Sequence, residues 1–400
     1  MIRDEVPTPT VDRAPHTVAT SPGAALPPLD ELPEFRPHAV DLIGAVARAA
    51  GPWIGAGSVL GAVGGMVLRS GVGGGAWSGA VIGAFAAVAH RTPAPAASQL
   101  GSVADPLPVA DETLRVMEYN VHGGMGGPGQ FLATPGKLDH LAETIRREDP
   151  DIVLLQELDR FATRSTYTDT LVQLARRLDA TGAVMTPGAE KATGRQEGPG
   201  VITRNGVTVI DVRGLRIPDE LGEGVTRRAG AAIDAWARLL GPALRRFGVR
   251  RQDWQPFGGV PEYQPRTATD AMVRTARGNH IRVLSGHFDP PRAGSDEQAR
   301  QVVPVVAALA KWPGPTVVGA DFNVRDGSTE FVREHAVFAE AGLTEATAGA
   351  PENSDRIYAT PHLAPCDPRK LDTPAGESPA SDHAPVTVEL TIRSGDSAQP

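Results

Sequence analysis

Five times between residues 111 and 393 a run of aliphatic and β-branched residues meets a carboxylate, an amide or an imidazole. Glu118-Tyr119-Asn120-Val121-His122 closes the first run, Leu155-Gln156-Glu157 the second and Ser285-Gly286-His287-Phe288-Asp289 the third. Val317-Val318-Gly319-Ala320-Asp321-Phe322-Asn323 is the fourth, and Ser381-Asp382-His383 immediately precedes the fifth. Runs of this length and composition read as buried strands. Taken alone, Asp321 and Asn323 suit an Asx turn, in which both are ordinary loop residues. Alternation at period two would instead put them on the same side of an extended chain. Repetition at five strand boundaries favours the second reading, because turns do not explain such convergent chemistry.

Around these runs the pattern is that of one large α/β domain over 111–393. LRVMEYNV (114–121), DIVLLQEL (151–158), GVITR (200–204), HIRVLSGHF (280–288), PTVVGADF (315–322) and PVTVELTI (385–392) predict strands. LDHLAETIRRE (138–148) and the stretch from Asp296 to Lys311 predict helices. A chain of 400 residues exceeds what one compact core needs, and its remainder divides by composition. Residues 1–37, rich in Pro, Thr and acids, read as a disordered tail. Between Ala39 and Ala89 only Asp41, Arg48 and Arg69 are ionisable. Pro52–Leu68 and Val72–Ala89 approach the length of a bilayer-spanning helix. Gly57, Gly61 and Gly65 recur at every fourth position, as do Gly75, Gly79 and Gly83, a spacing that lets helix backbones approach closely. We therefore expect 38–91 to be an apolar helical hairpin associated with a membrane, rather than a flexible Gly/Ala linker. Arg48, Arg69 and Arg91 are too evenly placed to orient it.

Residues 92–110 read as a Pro/Ala/Ser linker. A helical insertion is expected over 219–262, where Ile233, Trp236, Leu240, Leu244 and Phe247 fall at helical spacing amid arginines. Such a basic amphipathic helix is either peripheral, with a solvated Arg face, or lies on an anionic surface or on nucleic acid.

A net charge of −8 argues against a broadly cationic protein that coats nucleic acid, but not against local capture of a phosphate. Cys366 is the sole cysteine, which excludes an intrachain disulfide and a cysteine-based zinc site. Asp4 and Glu5 in an N-terminus without an apolar run make a cleavable signal peptide unexpected. The strand-end chemistry suits a hard cation beside a phosphate: Mg²⁺ takes one or two carboxylates and leaves its other positions to water and substrate. Glu157 is a suitable main ligand, with Asp382 and the Asn120 amide oxygen beside it. His122, His287 and His383 come from separate strand ends, which makes zinc the weaker reading. Imidazoles in such a site serve proton transfer or donate to phosphate oxygens.

NVHG (120–123), DIVLLQELDR (151–160), GHFD (286–289), GADFN (319–323), DRIY (355–358) and SDH (381–383) occur in the order of the endonuclease/exonuclease/phosphatase (DNase-I-like) superfamily, which residues 111–393 resemble. The resemblance implies a four-layered α/β sandwich, two mainly antiparallel sheets flanked by helices, with the site at strand ends on one edge. It also implies a metal-dependent phosphoesterase, with Mg²⁺ (Mn²⁺ as the alternative) held by Glu157, Asn120 and Asp382. Asp321 and Asn323 would position the attacking water and the phosphate, and His287 would donate to phosphoryl oxygens. His383, oriented by Asp355, would act as base or electrophile, and whether Asp321 or the Asp355–His383 pair takes the proton stays open. His122 and Arg266 are expected to contact substrate. Gly286-His287-Phe288 and Ala320-Asp321 depart mildly from the family's usual Thr-His-Leu and Gly-Asp, without losing a functional group. The expected substrate is a phosphate ester at or near a membrane, whether phospholipid or small molecule. The alternatives are a DNA endonuclease or exonuclease and a catalytically silent, membrane-tethered binding module. Location is accordingly expected at a membrane, otherwise in the cytoplasm, and no protein partner is inferable.

Overall fold

A computed structural model describes residues 104–127, 132–217, 266–291, 296–372 and 380–393, less 163, 166, 167, 192–194, 352 and 353. It also describes 51, 54–60, 76, 79, 80, 83, 90 and 91. The tail over 1–37, the insertion over 219–262 and most of the apolar hairpin lie outside the described residues.

The strands are β1 (His90–Arg91), β2 (Glu112–Asn120), β3 (Ile152–Arg160), β4 (Gly182–Met185), β5 (Ala189–Lys191), β6 (Gln196–Thr203) and β7 (Thr208–Ile217). They continue with β8 (Arg266–Arg274), β9 (His280–His287), β10 (Thr316–Asp321), β11 (Thr344–Glu345), β12 (Asp355–Ala359), β13 (Leu363–Lys370) and β14 (Val386–Ile392). The helices named here are α1 (Pro135–Glu148), α2 (Thr170–Arg177), α3 (Glu297–Leu309) and α4 (Thr329–Glu340). Side-chain caps start three of them: Thr134 accepts from the Lys137 N–H, Asp169 from that of Val172 and Ser328 from that of Phe331.

One sheet has the order β1-β5-β6-β3-β2-β14-β13, with β4 also on β6, and the other runs β11-β12-β10-β9-β8-β7. The pairs β2–β3 and β9–β10 are parallel, and the remaining ladders are antiparallel. Strand parity explains the layering. Val116, Ile152, Leu154, Val283, Val317 and Ile357 meet between the two sheets. Their neighbours Met117, Val153 and Leu155 pack on Leu138, Leu141 and Ile145 of α1 and on Leu171 and Leu174 of α2. Leu284, Val318 and Tyr358 pack on Val302, Val305 and Leu309 of α3 and Phe338 of α4. Both faces of the central strands are thus buried, which is why they read as unbroken apolar runs. Each fully buried aliphatic side chain contributes about 1.5–3 kcal/mol. The result is the four-layered α/β/β/α sandwich that the motif order implies.

β8 carries little of the apolar pattern that marks a strand. Its Thr267, Thr269 and Asp270 are buried, and Asp270 takes a bidentate guanidinium from the equally buried Arg282 (2.8 and 2.5 Å). β6 extends well upstream of its GVITR signal, through Gly198 and Gly200, where an added Cβ would lie 2.1 Å from the Thr186 carbonyl oxygen and 2.5 Å from Leu158 Cδ1. Only glycine permits that approach.

Both ends of the stretch read as a linker are attached to the domain. His90–Arg91, grouped by sequence with the hairpin, pair with β5. Buried Asn279 accepts the N–H groups of Val109 and Ala110 at 2.8 and 3.1 Å. In the described part of the apolar segment, an ideal Cβ on Gly57 would fall 2.1 Å from the Gly79 carbonyl oxygen and 3.0 Å from Gly83 Cα, so these glycine backbones touch. No helix among the described residues is long and apolar enough to cross a membrane.

Candidate active site

Followed toward one end, the layer between the sheets changes from apolar to polar. Glu118 and Asn120 on β2, Gln156 on β3, Ser285 and His287 on β9, Asp321 on β10 and Asp355 on β12 continue the inward parity of the core residues. Ser285 Oγ donates to the Leu155 carbonyl (2.8 Å) and accepts from Gln156 Nε2 (3.1 Å), linking the sheets. Asn120 Nδ2 donates across the same gap to Asp321 Oδ2 at 3.0 Å. Parity counting along each strand would have singled out Glu118, Gln156 and Ser285, which the motifs alone did not assign.

Glu157 has the outward parity of Val153 and Leu155, yet its Oε1 accepts from Asn120 Nδ2 at 3.3 Å. A register shift between Leu155 and Leu158, with φ of +55° at Glu157, makes it the extra residue of a β-bulge and turns it into the site. After β2 the chain turns through His122–Gly124, with φ of +61° at Gly123, where a Cβ would lie 2.8 Å from Asp159 Oδ2. His383 is set by Ser381, whose Oγ donates to the Asn120 carbonyl (2.6 Å) and accepts from the His383 N–H (3.1 Å).

The period-two account of Asp321 and Asn323 needs correction. The strand ends at Asp321, and Asn323 is left-handed with φ of +55°. Its N–H donates to Asp321 Oδ1 at 2.9 Å, which is an Asx turn. The turn nevertheless delivers both side chains to the site, while Phe322 stacks on Phe288 (5.1 Å) in the outer core.

Four side-chain nitrogens converge on Asp321 Oδ2: Asn120 Nδ2 (3.0 Å), Asn323 Nδ2 (3.3 Å), His287 Nε2 (3.4 Å) and His383 Nε2 (3.8 Å). The two imidazoles are driven to opposite states. Burial lowers His383, but the hydrogen bond and charge of Asp355 (2.9 Å from Nδ1), with Asp321 and Asp382, outweigh it and lift the imidazole to about 10. Burial and the Arg266 charge hold His287 well below its ordinary value. Burial and Asp355 raise Asp321, opposed by His383, the Asn323 N–H and Asn120. Burial and Glu197 raise Glu157, opposed by Arg164, His122 and Arg266. Glu118 is held well above the carboxylate range by burial, then by Asp355 and Asp321, and neither of its oxygens has a hydrogen-bond partner. A buried carboxyl without a partner favours the neutral acid.

The other residues singled out by sequence fall as follows. Asp382 lies 3.2 Å from His122 Nδ1, which also contacts the Gly126 carbonyl at 3.0 Å. Arg266, expected on substrate, turns inward: Nε donates to Asp289 (2.8 Å) and a terminal nitrogen faces His287 Nδ1 (2.9 Å). Asn120 Oδ1 accepts the His122 N–H at 3.0 Å, so the amide presents its NH₂, rather than the expected oxygen, to Glu157 and Asp321. Carboxylate oxygens such as those of Glu157, Asp321 and Asp382 suit a hard divalent cation by type, but among the described residues these three do not bring ligand atoms within 4.8 Å of one another. Asp321, Asp355 and His383 offer ligand atoms within 4.8 Å of one another, but the Asp355–His383 hydrogen bond already engages two of the three side chains.

The model of the Endonuclease/Exonuclease/phosphatase family matches residues 117–383, which span every site residue described above. No curated protein gives a match to the chain. Among solved structures, an endonuclease/exonuclease/phosphatase from Beutenbergia cavernae is 18% identical, covering 70% of this chain and 72% of that one at a TM-score of 0.47. The human Nocturnin catalytic domain with bound sulfate is 15% identical over 70% and 94% of the two chains, TM-score 0.48. The mannosyl-6-phosphatase of Bacteroides thetaiotaomicron is 15% identical over 69% and 99%, TM-score 0.46. With the family model matching 117–383 and so every residue of the convergent site, the chain belongs to the endonuclease/exonuclease/phosphatase family and is an enzyme of its phosphoesterase class.

Proposed function

We propose that the chain is a Mg²⁺-dependent hydrolase of phosphate esters, with Mn²⁺ as the alternative ion, in which water attacks phosphorus in line with the leaving oxygen. The observation that carries this reading is the convergence of Asn120, Asn323, His287 and His383 on Asp321 Oδ2 within 3.0–3.8 Å. Donors so arranged around a carboxylate position a water against Asp321 and face the oxygens of a phosphoryl group. His383, raised to about 10 by Asp355 and Asp321 against the cost of burial, is cationic at neutral pH. It therefore stabilises developing negative charge, which leaves Asp321 to accept the water's proton. His287, held neutral, donates a hydrogen bond to a phosphoryl oxygen. Glu157, with Asp382 beside it, would hold the divalent cation, which would supply charge neutralisation at the phosphate.

For substrate, we propose a phosphodiester at or near a membrane. The near absence of charge between Ala39 and Ala89 supports this. So do the contact of Gly57 with Gly79 and Gly83, and the exposure of Ile54, Val59 and Leu60 on the helical residues 54–60. The deciding experiment incubates the full chain and Mg²⁺ with phospholipid vesicles, inositol phosphates and plasmid DNA. Lipid turnover is expected. Efficient DNA cleavage without lipid turnover would overturn the membrane substrate and establish the nuclease reading, and inactivity on all phosphate esters would leave the binding-module reading.

A further inference from the structure

We propose that Arg266 is a positioning residue that locks His287 in the tautomer carrying its proton on Nε2. A guanidinium has donors and no acceptor. Placed 2.9 Å from His287 Nδ1, it obliges that nitrogen to be bare. The ring's proton therefore sits on Nε2, the atom that faces Asp321 Oδ2 at 3.4 Å.

The donor count around Nε2 closes on the same answer. Asn323 Nδ2 approaches Nε2 to 3.2 Å, and an amide NH₂ facing it would demand an acceptor. However, that NH₂ also faces the Phe288 carbonyl (3.0 Å) and Asp321 Oδ2 (3.3 Å), two acceptors for its two hydrogens. Nothing obliges Nε2 to accept, and its hydrogen is left on the side of the ring that faces Asp321 Oδ2 at 3.4 Å.

Arg266 is itself held from behind. Its Nε donates to Asp289 Oδ1 at 2.8 Å. Asp289 Oδ2 accepts from Gln301 Nε2 at 3.0 Å, and the Asp289 N–H donates to Gln301 Oε1 at 3.0 Å. Gln301 is buried on α3, so a chain of hydrogen bonds runs from that helix through the loop after β9 to the first residue of β8 and on to the imidazole. The contrast with His383 is instructive. Its Nδ1 faces the Asp355 carboxylate, an acceptor, and so carries a proton. Two imidazoles that reach the same oxygen are thus assigned different work by the partner at Nδ1: guanidinium for the neutral donor, carboxylate for the cation.

The catalytic consequence rests on the phosphate-ester reading, but the tautomer is read without turnover. Full chain labelled with ¹⁵N-histidine is examined by long-range ¹H–¹⁵N correlation, with His287 assigned by loss of its signals in His287→Gln. The wild-type ring is expected to show a protonated Nε2 and a bare Nδ1. In Arg266→Gln, whose side-chain oxygen can accept, a share of the ring moves its proton to Nδ1. On a chromogenic phosphodiester, kcat then falls about 10²-fold while KM changes little, and Arg266→Lys, which still donates, recovers within about tenfold of wild type. A wild-type His287 protonated on Nδ1 overturns the inference whatever the variants do. An Arg266→Gln ring that keeps the wild-type pattern also overturns it. Wild type inactive on the phosphodiester, with the Nε2–H pattern intact, would count against the reaction class and leave the tautomer assignment standing.

Discussion

The site is assembled across a gap between two sheets, so the spacing of the sheets should govern it. Gly319 tests this, because it lies on β10 with inward parity, two residues before Asp321. An ideal Cβ there would stand 2.4 Å from Leu154 Cδ1, 3.2 Å from Glu118 Cγ and 3.3 Å from Leu154 Cβ. Ordinary contact begins at 3.4 Å, so the methyl of Gly319→Ala needs about 1 Å of additional room in a close-packed layer. Leu154 has no exposure, and close-packed interiors hold few voids into which a side chain can swing. Overpacking of this kind costs about 1–3 kcal/mol. For a domain of this size that lowers Tm by about 2–12 °C. The same displacement strains the bonds that cross between the sheets, Asn120 to Asp321 at 3.0 Å and His383 to Asp355 at 2.9 Å. A 1 Å misplacement of reacting groups costs about 10²-fold in turnover. Thermal unfolding and kcat/KM on a phosphodiester, measured on the same preparation, should therefore fall together. Adding Leu154→Val to Gly319→Ala removes one of the opposed methyl groups and should restore part of both, with a coupling of about 0.5–3 kcal/mol. If Gly319→Ala lowers Tm and leaves kcat/KM at the wild-type value, inter-sheet spacing does not set the site and the reasoning fails.

Other expectations follow from the same geometry. Because the His383 imidazole is raised in the fold from 6.5 to about 10, its stabilisation is whole below pH 6.5 and fades as pH climbs through about 10. Asp355→Asn should thus cost about 1.5–3 kcal/mol at the acid end of that window, with urea midpoints of the two proteins converging at its alkaline end; a gap independent of pH would contradict the pairing. Asp321→Asn relieves a buried carboxylate flanked by Asp355, so Tm should hold or rise while kcat falls about 10²–10⁴-fold. Activity within tenfold of wild type would remove Asp321 from the role of base. EDTA should silence the enzyme and added Mg²⁺ or Mn²⁺ revive it, with Glu157→Gln raising the concentration for half-activation more than about tenfold. An unchanged metal titration in that variant would displace Glu157 as a ligand. Phe322→Ala opens the ring cluster with Phe288, Phe338 and Tyr358 and should cost about 3–5 kcal/mol by chemical denaturation; a loss below 1 kcal/mol would show that the cluster repacks.

Sequence patterning reached a particular depth in this protein. The central strands were legible because both of their faces are buried, which leaves a continuous apolar run in the chain. β8 was not, because its buried polar residues are satisfied by Arg282, Thr186 and the Pro199 carbonyl, partners remote in sequence. Asn120, Glu157, His287, Asp321 and His383 were legible as polar residues at strand ends. Glu157 nevertheless reaches the site through a bulge, and Asn323 through an Asx turn, neither of which alternation alone conveys.

By itself, then, the sequence determined which central strands are buried and which functional groups stand near their ends. These follow from residue size, polarity and the period of the backbone, all of which are local. Only the tertiary structure decided that Arg266 faces His287 and Asp289, that Asn120 offers its NH₂ to the acids, and that His383 is raised while His287 is lowered. Donor direction and protonation depend on which charges distant segments bring within a few ångströms of a group, in a medium that screens them poorly. No period along a chain encodes that neighbourhood.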